Sequence, residues 1–498
     1  MEKKEQEKRK KSKYRKPRIQ RAKRVVILGA GQVGRHIMKS LANEGYNVIL
    51  IDESEESIHE VREIADVGTI VGNGCDPEVY FEIGLNENDL FLAVADSDET
   101  NLVSCRIARA FGCKTKIARV RKPFYKSYEN TPIDDQFWRR LGVEVLFNQN
   151  ELTIQEIEHI IENEGSIDTI FLRGSKLQLV GYRVKEKSLL CGRRLVGLRD
   201  VPVFENLLVA AVTTFTEPGG SAKKGNRSSR HAANLRENTI VPKGDYKIKE
   251  GDLLFVCGEK HHFKGIAELF DPNMIKGFKH IFIQGGSELA FQLADRLSKT
   301  YSRKAVYLLE KNKSKAKTAA EILSSKIHVL MIDAHNIEDL KDEGLDSNCI
   351  FIAASDNEDD NVLSSLLVKE ETGARTISIV QNETYMHLIP YLDIDVAISP
   401  KLLLVDDVLK ALRGSVYDII SAKDQDAEIL EFVVQKKSPL AGKTLAEYKF
   451  PTDSIVVAIS READIIIPKG DTKIHVNDHL VIFSLKSSIK EVQKIFQI

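Results

Sequence analysis

The chain is poor in the residues that mark several protein classes. It has one tryptophan and thirteen prolines among 498 residues, and only six cysteines. Cys75, Cys105, Cys113, Cys191, Cys257 and Cys349 form no C-x-x-C pair and stand beside no clustered histidine. That pattern leaves no zinc site visible and predicts reduced, mostly buried thiols. No apolar run approaches the ~18 residues of a membrane span, and no apolar signal segment opens the chain, so a cytoplasmic protein is expected. Signatures of the H-E-x-x-H, G-x-S-x-G and P-loop kinds are missing as well. What remains is a chain with 42% apolar and 29% charged residues, the balance of a soluble globular protein. It is too long for a single core, and two to four domains are expected.

Net charge is nearly absent at −1, but it is unevenly placed. Residues 1–24 carry thirteen Lys or Arg against three Glu, which leaves the remainder near −11. Such a run reads as a disordered, solvated tail. The functional reading beside it is electrostatic attachment to anionic lipid headgroups, worth up to ~1 kcal/mol per basic residue near the surface. Nucleic-acid binding is not expected: the tail has one aromatic, Tyr14, and no folded basic face accompanies it.

Residues 25–34 read VVILGAGQVG, an apolar run followed by glycines 29, 31 and 34 in a G-x-G-x-x-G set. Val33, Ile37 and Leu41 then recur at helical spacing. NVILID (47–52) predicts the next strand and ends in Asp52, 18 residues after the last glycine. Short strands are predicted within 67–74, 89–96 and 116–121, and helices around 55–65, 76–84 and 100–111. This alternation predicts an α/β fold with a doubly wound parallel sheet.

Laid on itself, the chain repeats. GLNENDLFLAVADSDETN (84–101) matches GLDSNCIFIAASDNEDDN (344–361) without a gap at an offset of 260, with Asp96/Asp356 and Asn101/Asn361 among the identities. The segments that follow each unit repeat too: 182–198 matches 432–448, and VPKGDYKIKEGDLLFV (241–256) matches IPKGDTKIHVNDHLVI (467–482). The internal offset falls from 250 to 226, so the first copy carries 24 extra residues, placed in the Gly/Ser-rich stretch 217–238. The expected plan is a tail (1–24), a nucleotide-binding αβ domain (24–150), a small β-rich α+β module (165–265), a second αβ domain (276–410) and a second module (425–498).

In such a turn Gly29 permits the bend, Gly31 lets backbone approach a pyrophosphate, and Gly34 lets helix and strand pack closely. The helix start then offers free N–H groups and a positive dipole end. Asp52 is placed to accept from ribose hydroxyls, which favours NAD(H), ATP or ADP over a 2′-phosphorylated dinucleotide. Asp96 and Arg119 stand at strand ends where a ligand would lie, or form an ordinary cap and surface ion pair. In the second copy Gly285 keeps the bend and Glu310 keeps the acid. Ser287 and Ala290 replace the second and third glycines, and Ile379 stands where Arg119 would be. Weaker binding, a different adenosine ligand or an empty site is expected there. The amphipathic stretch 152–163, with Ile154, Ile157, Ile160 and Ile161 on one face, packs either on a neighbouring subunit or inside its own.

A dehydrogenase needs a second domain that aims an acid or base at the nicotinamide. The small modules contain no convergent His, Cys or carboxylate cluster, and His261 with His262 reads as a surface pair. Sensing is therefore favoured over catalysis. The alternative is an NAD-dependent oxidoreductase with an unrecognised substrate.

The N–C–N–C plan, with VVILGAGQVG, VGNGCDP, AVADSDETN and KIARVR in its first half and S-x-L-x-G and P-K-G-D in its modules, resembles the Trk potassium-uptake regulatory family, built from tandem RCK units. The basic tail and the 217–238 insertion lie outside that pattern. The resemblance implies a cytosolic homo-oligomeric ring, peripheral on the inner membrane face, that gates a separate membrane K⁺-translocating subunit. It implies nucleotide contacts at Gly29, Ala30, Gly31, Gln32, Val33, Gly34, Asp52, Asn73, Ala95, Asp96 and Arg119. Weaker counterparts are Gly285, Gly286, Glu310 and Asp356.

Overall fold

The computed structural model describes residues 24–43, 45–122, 135–163, 165–172, 177–216, 236–272, 277–389, 392–413, 416–419, 427–461 and 464–496. The tail before Arg24 and most of the 217–238 insertion lie outside the described residues. By internal contact the chain divides into two compact units. The first takes the described residues up to Gln155 together with Phe291–Arg296 and Ile398–Gly414, and the second takes the rest.

The first unit begins β1 (Arg24–Leu28), α1 (Gln32–Asn43), β2 (Asn47–Asp52), α2 (Glu55–Ile64), β3 (Gly68–Val71), α3 (Pro77–Glu82), β4 (Asp89–Ala93) and α4 (Asp98–Ala110). It continues through β5 (Thr115–Val120), α5 (Asp135–Leu141), β6 (Val145–Asn148) and α6 (Gln149–Glu162), whose last turns pass into the second unit. The strands pair in the order β3-β2-β1-β4-β5-β6, and every ladder is parallel. Strands buried on both faces need no polar alternation, which is why RVVIL and DLFLA read as apolar runs. Ser54, Asp76 and Ser97 cap α2, α3 and α4 by accepting from N–H groups of the first turn, so each helix starts directly behind its strand. One face of the sheet packs on Val33, Ile37, Met38 and Leu41 of α1; the other packs around Tyr80, Phe91 and Trp138. The fifth strand pairs with β6, which together with α5 goes beyond the elements expected from sequence.

The second unit begins with a small module, β7 (Ser166–Leu172), β8 (Leu177–Arg183), β9 (Leu207–Thr216), β10 (Arg236–Ile240), β11 (Leu253–Glu259) and α7 (Ala267–Phe270). Its αβ portion runs β12 (His280–Gln284), α8 (Glu288–Thr300), β13 (Ala305–Leu309), α9 (Lys313–Ile322), β14 (Ile327–Leu330), α10 (Ile337–Asp342) and β15 (Ile350–Ala353). There follow α11 (Glu358–Thr372), β16 (Arg375–Ile379), α12 (Glu383–Leu388), β17 (Val396–Ile398) and α13 (Pro400–Arg413). The chain ends with β18 (Val416–Ile419), β19 (Ala427–Val433), β20 (Ser454–Arg461), β21 (Asp464–Ile466), β22 (His479–Leu485) and α14 (Lys486–Phe496). The αβ sheet has the order β14-β13-β12-β15-β16-β17, the same winding as the first. The two small sheets, β10-β9-β11-β8-β7 and β18-β19-β22-β20-β21, are antiparallel. They share one core in which Leu179, Ala211 and Phe255 meet Ile429, Val457 and Phe483.

Each small module buries an aspartate seven residues beyond its P-K-G-D turn. Asp252 accepts from the Tyr246 hydroxyl and from Lys249 N, both at 2.8 Å. Asp478 accepts from Arg461 at 2.9 Å on both oxygens and from His475 N at 2.7 Å.

One helix departs from the repeat. Although α13 follows the strands of the second copy, it belongs to the first unit, where Leu404, Val405, Val408 and Leu409 join the core against α1. The amphipathic stretch of α6 is also accounted for: Ile154, Ile157, Ile160 and Ile161 are all buried within the chain itself.

Candidate nucleotide site

The carboxyl ends of β1, β2, β4 and β5 meet where the strand order turns from β1 to β4, the switch point at which open parallel sheets take ligands. The glycine turn lies at that point, held by Gly29 N donating to Ile51 O (2.8 Å) and Val94 N to Leu28 O (2.8 Å). Its three glycines meet different demands. Gly29 has φ +108°, and a Cβ there would stand 2.8 Å from Ala95 N. At Gly34 a Cβ would stand 1.8 Å from Gly29 O, so α1 can lie this close only without a side chain. At Gly31 a Cβ would meet nothing within 4 Å. Packing demands two of the glycines; the third fronts open space.

The helix behind the turn makes its first internal bond from Arg35 N to Gly31 O (3.0 Å). The N–H groups of Gln32, Val33 and Gly34 therefore precede the helical ladder and add to the positive end of α1. Val33 itself is buried in the core and Ala30 is fully buried, so these two can present only backbone to a ligand. Asp52 is tied to the turn: Oδ2 accepts from Ala30 N (2.6 Å) and Oδ1 from Ser54 N (2.8 Å). Each carboxylate oxygen keeps acceptor capacity on a half-buried side chain at the end of β2.

Arg119, on β5, is buried, with 6% of its surface exposed. Nη1 reaches Val94 O at 3.4 Å and Asp96 Oδ1 at 3.6 Å, and Nε is buried with no hydrogen-bond partner. Burial, and then the neighbouring Arg121, pull its pKa below the ordinary arginine value, against Asp96 and Asp98. The expected ion pair thus exists, but it joins a buried cation to a carboxylate that is 91% exposed. A desolvated guanidinium with an orphaned N–H at the strand ends matches what a phosphate or diphosphate would satisfy. Ala95 gives its N–H to Asn101 Oδ1 (2.9 Å), and exposed Asn73 accepts from Cys75 N (2.7 Å), shaping the loop after β3. The residues present fit an adenosine nucleotide: open backbone at Gly31, an acid at the ribose position and a buried cation opposite.

In the second copy the same places are filled from within. Gly285 keeps the bend at φ +118°. Ser287 turns its hydroxyl inward. It caps α8, accepting from Ala290 N (3.0 Å) and donating to Ala354 O (2.7 Å). Glu310 is buried and accepts from Asn312 N (2.6 Å); a Cβ on Gly286 would stand 2.3 Å from its Oε2. Asp356 is bridged by Lys315 at 3.1 Å, and the Lys315 stem lies against Gly286 as well. Ile379 is buried and apolar where Arg119 stands in the first copy.

Reading the sequence for ligand contacts passes over residues that hold the site together. Asn101 is completely buried and clamps two strand ends, donating to Ala95 O (2.8 Å) and Arg119 O (3.0 Å). Asn361 does the same for Ser355 O (3.1 Å) and Ile379 O (2.9 Å). The repeat identity Asn101/Asn361 was the available signal. Asp98 accepts from Arg121 N and Lys122 N and fixes the segment after β5. Gln32 accepts from Lys401 of α13, a contact that spacing alone does not suggest. Among the described residues no group of three His, Cys, Asp or Glu could hold a metal ion, and no helix is long and apolar enough to cross a membrane.

Comparison with known proteins points to one family and one fold. The TrkA-N domain model matches residues 25–144 and again 281–400, and the TrkA-C domain model matches 429–497. The chain is 28% identical over 483 residues to a Trk system potassium uptake protein, TrkA homolog 2 of Methanosarcina mazei, covering 95% of this chain and 100% of the relative. Among solved structures, the GsuK RCK domain aligns over 96% of both chains, with TM-score 0.56 and 16% identity. The GsuK channel bound to NAD aligns over 96% of this chain and 80% of that one, with TM-score 0.54 and 16% identity.

Proposed function

Because the chain belongs to the TrkA family, we propose that it is the nucleotide-sensing regulatory subunit of a Trk-type potassium uptake system. In this reading it assembles into a homo-oligomeric ring on the cytoplasmic face and gates a separate membrane K⁺-translocating subunit. The basic residues 1–24 add attraction to an anionic membrane surface. The four-module division drawn from the repeats sets the working parts: two αβ domains, each followed by a small β-rich module.

The observation that carries the nucleotide part is the open backbone at Gly31 between Asp52 and the buried, incompletely bonded Arg119. NAD(H) is the first choice of ligand, in keeping with the NAD bound by a fold relative. Asp52 would hold the ribose hydroxyls, Arg119 a phosphate, and Gln32 to Gly34 the pyrophosphate through backbone N–H groups. ATP or ADP would use the same adenosine half. Gly285, Gly286, Glu310 and Asp356 form at most a weak second site. No residue is assigned to bond making or breaking: a ligand acts here by binding one conformation better than another.

Calorimetric titration of the full chain with NADH, NAD⁺, ATP and ADP tests the reading. The wild type is expected to bind at least one without consuming it, and Asp52→Ala and Gly31→Asp to lose it. Steady turnover of NADH with a carbonyl substrate would favour the oxidoreductase alternative instead.

A further inference from the structure

Lys401 stands in the first turn of α13, and its Nζ donates to Oε1 of Gln32, the first residue of α1. Both residues lie in the first unit. Helix α13 lies along α1, with its Leu404, Val405, Val408 and Leu409 in one core with Val33, Ile37 and Leu41. A lysine is ill placed there on helix grounds. The first turn of a helix carries partial positive charge and disfavours a cation. Gln32 occupies the same end of α1, so the ammonium faces a second positive helix end, and neither first turn contains an acid. The helix dipole of α13 does not favour this residue.

A cation held at two positive helix ends raises the local potential beside Gly31, where the backbone fronts open space. Arg119, buried and with Nε unbonded, brings another cation to the same strand-end crevice. The two repeats differ in the matching way. The equivalent of Lys401 in the first copy is Asn150, and the copy with the degenerate turn has Ser287 for Gly31. The lysine accompanies the intact turn.

We infer that Lys401 binds the phosphates of the nucleotide at the first glycine turn. This deepens the nucleotide reading above and rests on it. A ligand seated by residues of the first repeat is then also held by the crossover helix of the second. That helix leads along the chain into the second small module, so occupancy of one site is registered by a distant part of the sequence.

The test is titration of the full chain with ADP and NAD⁺ in the wild type, Lys401→Met and Asp52→Ala, at low and raised salt. Hydrogen exchange over residues 400–413 is followed alongside. Lys401→Met is expected to weaken both ligands by about tenfold, the size of one charge-assisted hydrogen bond to a phosphate, and to flatten the salt dependence. Ligand should slow exchange over 400–413 in the wild type. Because the lysine opposes the helix dipole, the variant is expected to melt no lower than the wild type. Equal affinity in the wild type and Lys401→Met, or wild-type exchange over 400–413 unchanged by bound ligand, overturns the inference and leaves the site standing. No binding by the wild type, or undiminished binding by Asp52→Ala, overturns the nucleotide reading instead.

Discussion

At Gly34 an added methyl group would stand 1.8 Å from the carbonyl oxygen of Gly29, whereas at Gly31 it would meet nothing within 4 Å. Two single-methyl substitutions therefore have opposite outcomes. Gly34→Ala is expected to cost about 1–3 kcal/mol of stability, since helix and turn must separate to admit it. Gly31→Ala should leave the melting temperature of the free protein within about 2 °C and lower nucleotide affinity. Thermal melts with and without ligand check both; a large loss of stability in Gly31→Ala would make that glycine a packing device. The glycine turn and the place of Asp52 beside it are legible in the sequence because they depend on residues close along the chain. Lys401 and Gln32 are 369 positions apart, so no local pattern brings them together. The burial of Arg119 and the clamp of Asn101 are hidden for a related reason: both depend on how the ends of β4 and β5 converge.

Among the elements, the strands at 47–52 and 89–93 and the helices behind them follow directly from apolar runs, period and capping residues. The short β6 and α5 do not, having too few turns or alternations to register as a pattern. The destination of α13 is likewise out of reach of periodicity, which shows that a helix has an apolar face but not which core receives it. The aspartate common to the two small modules, Asp252 and Asp478, is legible as a repeat, and the structure supplies its physical content. Burial raises the Asp478 pKa, but Arg461 and the His475 N–H outweigh it and hold the carboxyl below its ordinary value of 3.8. A depressed folded-state pKa contributes stability that is present above the unfolded value and is lost as pH falls through the folded one. The second small module should thus weaken as pH drops below about 4. Asp478→Asn should cost about 1–3 kcal/mol at neutral pH and remove this part of the acid sensitivity. Denaturant unfolding at neutral and acid pH, read by exchange over β19, β20 and β22, is the check. Equal pH dependence in the variant would put the acid sensitivity elsewhere.

For the whole molecule, two αβ sheets of identical winding have diverged in what their glycine turns do. The first leaves backbone open between an acid and a buried arginine; the second spends its serine on a helix cap and bridges its aspartate to Lys315. Duplication is plain from the sequence at an offset of 260, and so is the loss of glycines, but not the inward turn of Ser287. In the proposed reading one site, that of the first copy, biases the assembly by its occupancy. The most direct measurement is K⁺ flux into proteoliposomes that hold the Trk-type membrane subunit with this chain, as NAD(H), ATP and ADP are varied. The account predicts that flux depends on the chain and responds to at least one nucleotide in the wild type, with no response in Asp52→Ala. A response of wild-type size in Asp52→Ala, or flux indifferent to the chain, would contradict it.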